Sequence, residues 1–501
     1  MEAGTPTGPQ HYDYLIVGSG AGGAAVAHGL ASAGARVLLL EKGPRLPRDG
    51  STLDVRAVLI EERFKNRETW LDGEDRPVIP GDFFNLGGKT KWYGAALLRF
   101  SPEEFEADPG NGYLGWPIRY EDLAPYYDEA ERLLGVRRFA PEPAMARLAA
   151  RLVKPGGPWE ARAMPLGLAP DAQAHRNEAA RFDGFASVRG IKADAEVRLL
   201  DPLRAMQNLR IETGAAVAAL LPRDDDPRAV IGVALADGRR FHAVRVVLAA
   251  GALHTPRLLE EYLARTGLAA QLPGARFVGR YYKHHLNTIL LAFGLRRNDD
   301  LLFKTLLFRH RGFPHSSVQG LGGRLAEEII ATRLPRFLPD TARRALSARA
   351  CGFFLTTEDS SHPDNRVAAH AAPAAAPLLD YRRDRMPRAW AEHAGFVRAF
   401  HRALAARGLP GVYLHMPPGA TAHACGSCVA GRDPQRSVVD GYGRVHGLEN
   451  LYIADGSVLP RSSRANPALT IYAWALRLAH HLRTRGATRE HETAATHPVR
   501  S

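Results

Sequence analysis

Residues 12–42 constrain the fold more than any other stretch, because they change periodicity twice within thirty residues. Tyr14-Leu15-Ile16-Val17 is an unbroken apolar run, as a strand buried on both faces requires. The hexapeptide Gly18-Ser19-Gly20-Ala21-Gly22-Gly23 follows, then a small-residue helix over Ala24 to Ala33 and a second apolar strand over Arg36 to Leu40, ending in Glu41. Two parallel strands need a crossover connection, and the alanine-rich segment supplies one. The unit therefore predicts a parallel sheet flanked by helices. Its glycines follow the G-x-G-x-x-G spacing, at the strand-to-helix turn, with an acidic residue about 20 positions further on, which is the fingerprint of dinucleotide binding. Gly18 permits the tight turn, Gly20 lets the backbone approach a pyrophosphate, Gly23 lets helix and strand pack closely, and Glu41 can accept hydrogen bonds from a ribose. A turn serving packing alone would share the glycines but not the whole context. The fingerprint does not separate FAD from a nicotinamide dinucleotide, although its place near the start of the chain favours FAD by analogy.

The chemistry is carried by a second block, His423-Ala424-Cys425-Gly426-Ser427-Cys428, then Asp455-Gly456, then Asn466-Pro467-Ala468-Leu469-Thr470. Asn is a favoured helix cap and Pro suits the first helical position, so a helix is expected from here through Leu482. Its free N–H groups would favour negative charge. Histidine, with an ordinary pKa near 6.5, can take a proton at neutral pH. A base, a neutral amide and a positive helix end suit removal of a proton and a hydride from an alcohol. These residues resemble the C-terminal signature of the glucose–methanol–choline (GMC) family of flavin oxidoreductases: His-x-x-Gly, later Asp-Gly, later Asn-Pro-x-x-Thr. The resemblance implies that His423 lies near the flavin N5 and takes the hydroxyl proton as the hydride leaves, and that Asn466 hydrogen-bonds the same oxygen. It further implies that the helix start at Pro467 and Ala468 faces the flavin pyrimidine, and that Asp455 and Gly456 lie by the ribityl–pyrophosphate.

Intermediate segments extend the resemblance over Tyr12 to about Leu482. Asn85-Leu86-Gly87-Gly88-Lys89-Thr90 is similar to the family's Gly-Gly-x-Ser/Thr loop along the flavin ring, which nominates Gly87, Gly88 and Thr90 as cofactor contacts. Tyr93 stands where relatives often carry Asn. The loop has no His, so FAD is expected to be held noncovalently. Gly251 to Leu259 is similar to the second family signature but lacks its closing Ser-Gly, and Val217 falls where relatives offer backbone to the adenine. Glu358 resembles a family glutamate on the active-site side, and a surface carboxylate reads equally well. His284-His285 and His480-His481 have no supporting context and receive no role. Cys425 and Cys428 read as two small residues in a tight loop, with a redox pair as the alternative. Zinc is not expected, since no second C-x-x-C exists to complete four ligands.

Bulk properties narrow the partners. The net charge of +13 is mostly scattered arginine interleaved with acids, without a basic block bearing aromatics, so nucleic acid is not expected. No apolar run approaches the ~20 residues that span a bilayer. The first ten residues show no basic-then-apolar leader, and three cysteines make no disulfide scaffold, so a cytoplasmic location is expected. The predicted fold is α/β: a Rossmann-like FAD-binding domain built from discontinuous segments (10–100, 190–280 and 420–485), with an α+β substrate-binding domain containing an antiparallel sheet (101–189 and 281–419) and a disordered tail over 486–501. The expected activity is FAD-dependent oxidation of a CH–OH group on a sugar, amino sugar or polyol-like small molecule, with oxygen, a quinone or another acceptor. Two other classes share these features: a redox-silent flavin-containing lyase of the same fold and a flavin-binding electron-transfer partner.

Overall fold

The apolar run near the N-terminus becomes the strand His11–Val17, which pairs in parallel with Val37–Glu41 on one side and Arg240–Leu248 on the other. Having neighbours on both edges and cover on both faces, Leu15 and Ile16 are wholly buried. The computed structural model describes residues 11–334, 337–369 and 376–495. Leu209–Thr213 adds to the outer edge of Val37–Glu41 in parallel, and Leu451–Ile453 pairs in parallel with the C-terminal half of Arg240–Leu248. The antiparallel pair Val217–Pro222 and Val230–Leu235 completes a seven-stranded sheet. Its strands come from three distant parts of the chain, so the nucleotide domain is discontinuous, as the sequence predicts.

The helix Ala21–Ala31 crosses one face of this sheet and packs on the last helix, Ala468–Ala495. Gly29 makes the approach possible, because a Cβ there would stand 2.7 Å from the Ala479 methyl. Tyr14 Oη donates to the Leu482 carbonyl, tying the two ends of the chain together. The final helix continues to Ala495 through a stretch rich in Ala, Arg and Glu, all good helix formers, ten residues into the segment expected to be a disordered tail. Residues 496–501, the first ten residues and 370–375 lie outside the described residues.

A second sheet has six strands, all antiparallel, in the order Gly411–His415, Leu286–Phe293, Ala350–Thr357, Phe313–Gly320, Leu306–His310, Trp159–Ala163. The helix Pro387–Ala405 covers one face, burying Phe396, Val397, Phe400 and Leu404 against Leu290, Phe353 and Leu355. Side chains alternate along a strand, so Ile289, Phe354 and Gln319 point the other way. Those three line a cavity between the two sheets.

Candidate active site

A cavity of 990 Å³ runs from the C-terminal ends of the parallel strands to the uncovered face of the antiparallel sheet. Ligands of open α/β sheets bind outside these strand ends, and the volume lies at the upper end of ordinary ligand sites, about 300–1,000 Å³. Gly18, Gly20, Glu41, Gly88, Thr90, Val217, Asp455, Gly456, Pro467 and Ala468 line it, together with His423 and Asn466. Gly23 and Gly87 stand behind that lining.

At the dinucleotide end each glycine meets a different demand. Gly18 has φ +100°, a left-handed conformation that disfavours any side chain. A Cβ on Gly20 would meet nothing within 4 Å and would project into open space. A Cβ on Gly23 would come within 1.9 Å of the Gly18 carbonyl oxygen, so this position is closed by helix-to-strand packing. Gly22, which the fingerprint leaves unassigned, is closed as well: its Cβ would fall 1.5 Å from the Ala454 carbonyl oxygen. Glu41 is buried and accepts from Ser19 N at 3.0 Å, Ser19 Oγ at 2.5 Å and Gly43 N at 2.9 Å. Burial pushes its carboxyl pKa up against these bonds. Asp455 accepts from Gly251 N (2.9 Å), Thr255 Oγ1 (2.5 Å) and Ser457 N (2.8 Å), so it pins the start of helix Gly251–Arg265 to the strand end behind it. An open glycine face, a helix start and a buried carboxylate along one cavity of this size fit FAD.

In the loop at 85–95, Thr90 spends its hydroxyl locally. It donates to the Gly87 carbonyl at 2.6 Å and accepts from Ala195 N at 3.0 Å. Tyr93 Oη donates to the Ala193 carbonyl at 2.6 Å. Gly94 leaves room for the buried Lys304–Asp183 ion pair, N to O 2.6 Å, on the cavity wall.

The C-terminal block converges at the far end. Asn466 Nδ2 lies 3.1 Å from His423 Nε2, and Asn466 Oδ1 accepts from Gln319 Nε2 at 3.3 Å. The amide therefore turns into the cavity instead of along the helix. The expected cap is displaced by one residue: the Pro467 carbonyl accepts the first helical bond, from Ile471 N, and the helix begins at Ala468. Burial, followed by the neighbouring His285 and the Lys304 charge, holds the His423 pKa well below the ordinary histidine range.

Sequence reasoning passed over several groups that the fold brings here. His285 Nδ1 lies 2.9 Å from His423 Nδ1. Its other nitrogen, Nε2, lies 2.9 Å from the Ser462 carbonyl oxygen and 2.7 Å from that of Ser463. Periodicity gave no signal for it, since His285 stands one residue before the strand Leu286–Phe293 with a left-handed backbone, φ +70°. Gln319 is buried and its Oε1 has no hydrogen-bond partner. Glu358 is neither exposed nor in the cavity wall. It is wholly buried in a two-pronged pair with Arg461 and accepts from Ser463 N at 3.0 Å. Cys425 and Cys428 are buried free thiols whose pKa values burial raises, which removes the thiolate a redox pair needs. No cluster of three or more metal-ligating side chains occurs among the described residues.

Known proteins place this architecture. Family models described as GMC oxidoreductase match residues 12–286 and 361–475. Paromamine 6'-oxidase of Streptomyces fradiae is 32% identical, over 95% of this chain and 94% of its own length. The 6'''-hydroxyparomomycin C oxidase of Streptomyces lividus is 30% identical, over 94% and 93%. A solved structure of pyridoxine 4-oxidase from Mesorbium loti superposes with a TM-score of 0.66 at 20% identity, over 94% of this chain and 99% of that one.

Proposed function

The chain belongs to the GMC oxidoreductase family, and from that premise we propose that it oxidises a hydroxyl-bearing carbon of a sugar, amino sugar or polyol-like substrate, with His423 as the base. Membership makes it an FAD-dependent oxidoreductase acting on CH–OH donors. FAD, when bound, supplies the hydride acceptor. The protein's own side chains do the rest. His423 Nε2 takes the hydroxyl proton: the O–H bond breaks and an N–H bond forms. Asn466 Nδ2 donates to the substrate oxygen and holds the reacting carbon's orientation. General base catalysis contributes typically ~10²–10⁴-fold. The start of helix Ala468–Ala495 lends positive potential to the same end of the cavity. The loop at 85–95 carries no histidine that could bond the ring, which supports noncovalent FAD. Three free cysteines favour a reducing compartment, the cytoplasm.

The observation that carries the reading is the 3.1 Å contact between His423 Nε2 and Asn466 Nδ2 in a cavity continuous with the dinucleotide fingerprint. The names of the two streptomycete relatives support the substrate class, and so does the wall around His423. Gln319 and Lys304 offer hydrogen bonds there, while Ile289, Leu321 and Phe354 offer an apolar face. A pyranose ring presents both surfaces, hydroxyl edges and C–H faces. The test is an anaerobic panel of amino sugars, sugars, polyols, sterols and aromatic alcohols scored by loss of flavin absorbance. Bleaching by the first three classes is expected. Bleaching by sterols or aromatic alcohols alone would sink the substrate assignment, and product formation without flavin reduction would sink the oxidation itself.

A further inference from the structure

We infer that His285 is a positioning residue that fixes the tautomer and the orientation of His423. The inference rests on the reading of His423 as the base. Its starting point is proton bookkeeping on two imidazoles. His285 Nε2 faces two carbonyl oxygens, those of Ser462 at 2.9 Å and Ser463 at 2.7 Å. A carbonyl can only accept, so His285 Nε2 carries the proton, and in the neutral ring Nδ1 carries the lone pair. His423 Nδ1 lies 2.9 Å from that lone pair. Two nitrogens at this distance share one proton, which therefore belongs to His423 Nδ1. The remaining nitrogen of His423 is Nε2, which faces Asn466, and it is left as the lone-pair base. The reverse arrangement, a proton on His423 Nε2, would leave two lone pairs opposed at 2.9 Å.

The surroundings hold this arrangement rigidly. The two rings are nearly perpendicular, 89°, with centroids 4.9 Å apart, so rotation of either would break the shared N–H···N bond. His285 is fully buried and sits at φ +70°, a left-handed conformation uncommon for any residue but glycine. Ser463, which supplies one of the two carbonyls, is also left-handed at φ +65°. Its backbone N–H is tied to Glu358 and its hydroxyl donates to Glu104 at 2.6 Å. Strained residues on both sides of one contact persist only where the surroundings over-determine them. Here the surroundings are buried carboxylates that aim two carbonyls at one imidazole nitrogen. When His423 takes a proton, its Nδ1–H keeps the same acceptor, so the ring need not move during turnover.

Three variants of the FAD-loaded enzyme test this, by the limiting rate of anaerobic flavin reduction with the best alcohol of the panel. His285→Phe keeps the ring and removes both nitrogens. His285→Asn places an acceptor near the position of Nδ1 and tolerates the left-handed backbone. His423→Ala is the reference. The expected result is a loss of about 100-fold in His285→Phe with FAD still bound, recovery to within about tenfold of the parent in His285→Asn, and at least as large a loss in His423→Ala. A parental rate in His285→Phe beside a slow His423→Ala overturns the inference alone, and so does equal loss in both His285 variants. A parental rate in His423→Ala overturns the base reading beneath it. The unaltered protein gives an answer that does not depend on variants folding: with ¹⁵N-labelled histidine, the resting ring of His423 should carry its proton on Nδ1, and finding it on Nε2 overturns the proposal.

Discussion

Glu358 and Arg461 meet inside the protein through two parallel hydrogen bonds, Nε to Oε1 at 2.9 Å and Nη2 to Oε2 at 2.7 Å, with 0% and 4% of their side chains exposed. The pair stands behind the carbonyls that hold His285, so it connects stability with the setting of His423, the proposed base. Removing one charge strands the other. Glu358→Gln should lower stability by roughly 3–5 kcal/mol, the usual range for breaking a buried pair, seen as an earlier denaturant midpoint. Glu358→Gln with Arg461→Met should recover part of that loss. An unchanged midpoint in the single variant would contradict this account.

Asn466 is joined to both His423 and Gln319, so on the reading proposed above its amide should act on orientation and not on cofactor binding. Asn466→Ala should slow anaerobic flavin reduction by about 10–100-fold without releasing FAD, measured by stopped flow and by the flavin-to-protein absorbance ratio. Loss of FAD with an unchanged reduction rate in the loaded fraction would reverse the assignment.

The fingerprint glycines separate folding from cofactor binding. Gly22→Ala places a methyl 1.5 Å from the Ala454 carbonyl oxygen, so helix and strand must part, and little folded protein is expected. Gly20→Ala meets no protein atom within 4 Å. It should fold with a nearly parental melting temperature without cofactor and bind FAD at least tenfold more weakly, because its methyl would project into the cavity where the fingerprint glycine would let backbone approach a pyrophosphate. Equal stability of the two apoproteins would refute the distinction.

Several buried histidines set an acid limit. Burial depresses His254 and His284 to about 4 and His393 to about 3, and His423 is depressed in the same direction. In the unfolded chain these groups take up protons near pH 6.5, whereas in the fold His254 and His284 stay neutral to about pH 4 and His393 to about pH 3. Between those values the unfolded state binds more protons, so stability must fall as pH falls, by up to about 1.4 kcal/mol per pH unit for each group. Melting temperatures measured from pH 7.5 to 5 should decline below 6.5, and His393→Gln should flatten the decline. A flat profile would contradict the assignment. Burial moves His423 in the same direction, so flavin reduction in the folded enzyme should not fall off at the pH of an ordinary histidine, near 6.5.

What could be read along the chain was what depends on near neighbours. The strand Tyr14–Val17 and the helix after it declare themselves by period, and the spacing of Gly18, Gly20 and Gly23 follows from one turn. His423 and Asn466 were legible as a pair because a family motif joins them, although spacing alone suggested that Asn466 capped a helix. The fold turns the amide away from that duty, since Gln319 on a strand of the other sheet offers it a donor. Glu358 was ambiguous for a similar reason. A carboxylate at the end of a strand takes its meaning from its partner, and that partner lies 103 residues away.

The sequence by itself determined a parallel nucleotide sheet and a dinucleotide-binding turn, because each is written in local periodicity or a short motif, and its resemblance to a family nominated the pair His423 and Asn466. Only the tertiary structure decided which nitrogen of His423 faces Asn466 and which faces His285. That choice depends on His285, 138 residues distant, and on two carbonyls of a loop further along the chain. A histidine carries no mark of its tautomer in its own neighbours. The tautomer is set by whichever donors and acceptors the packing of two sheets brings within about 3 Å.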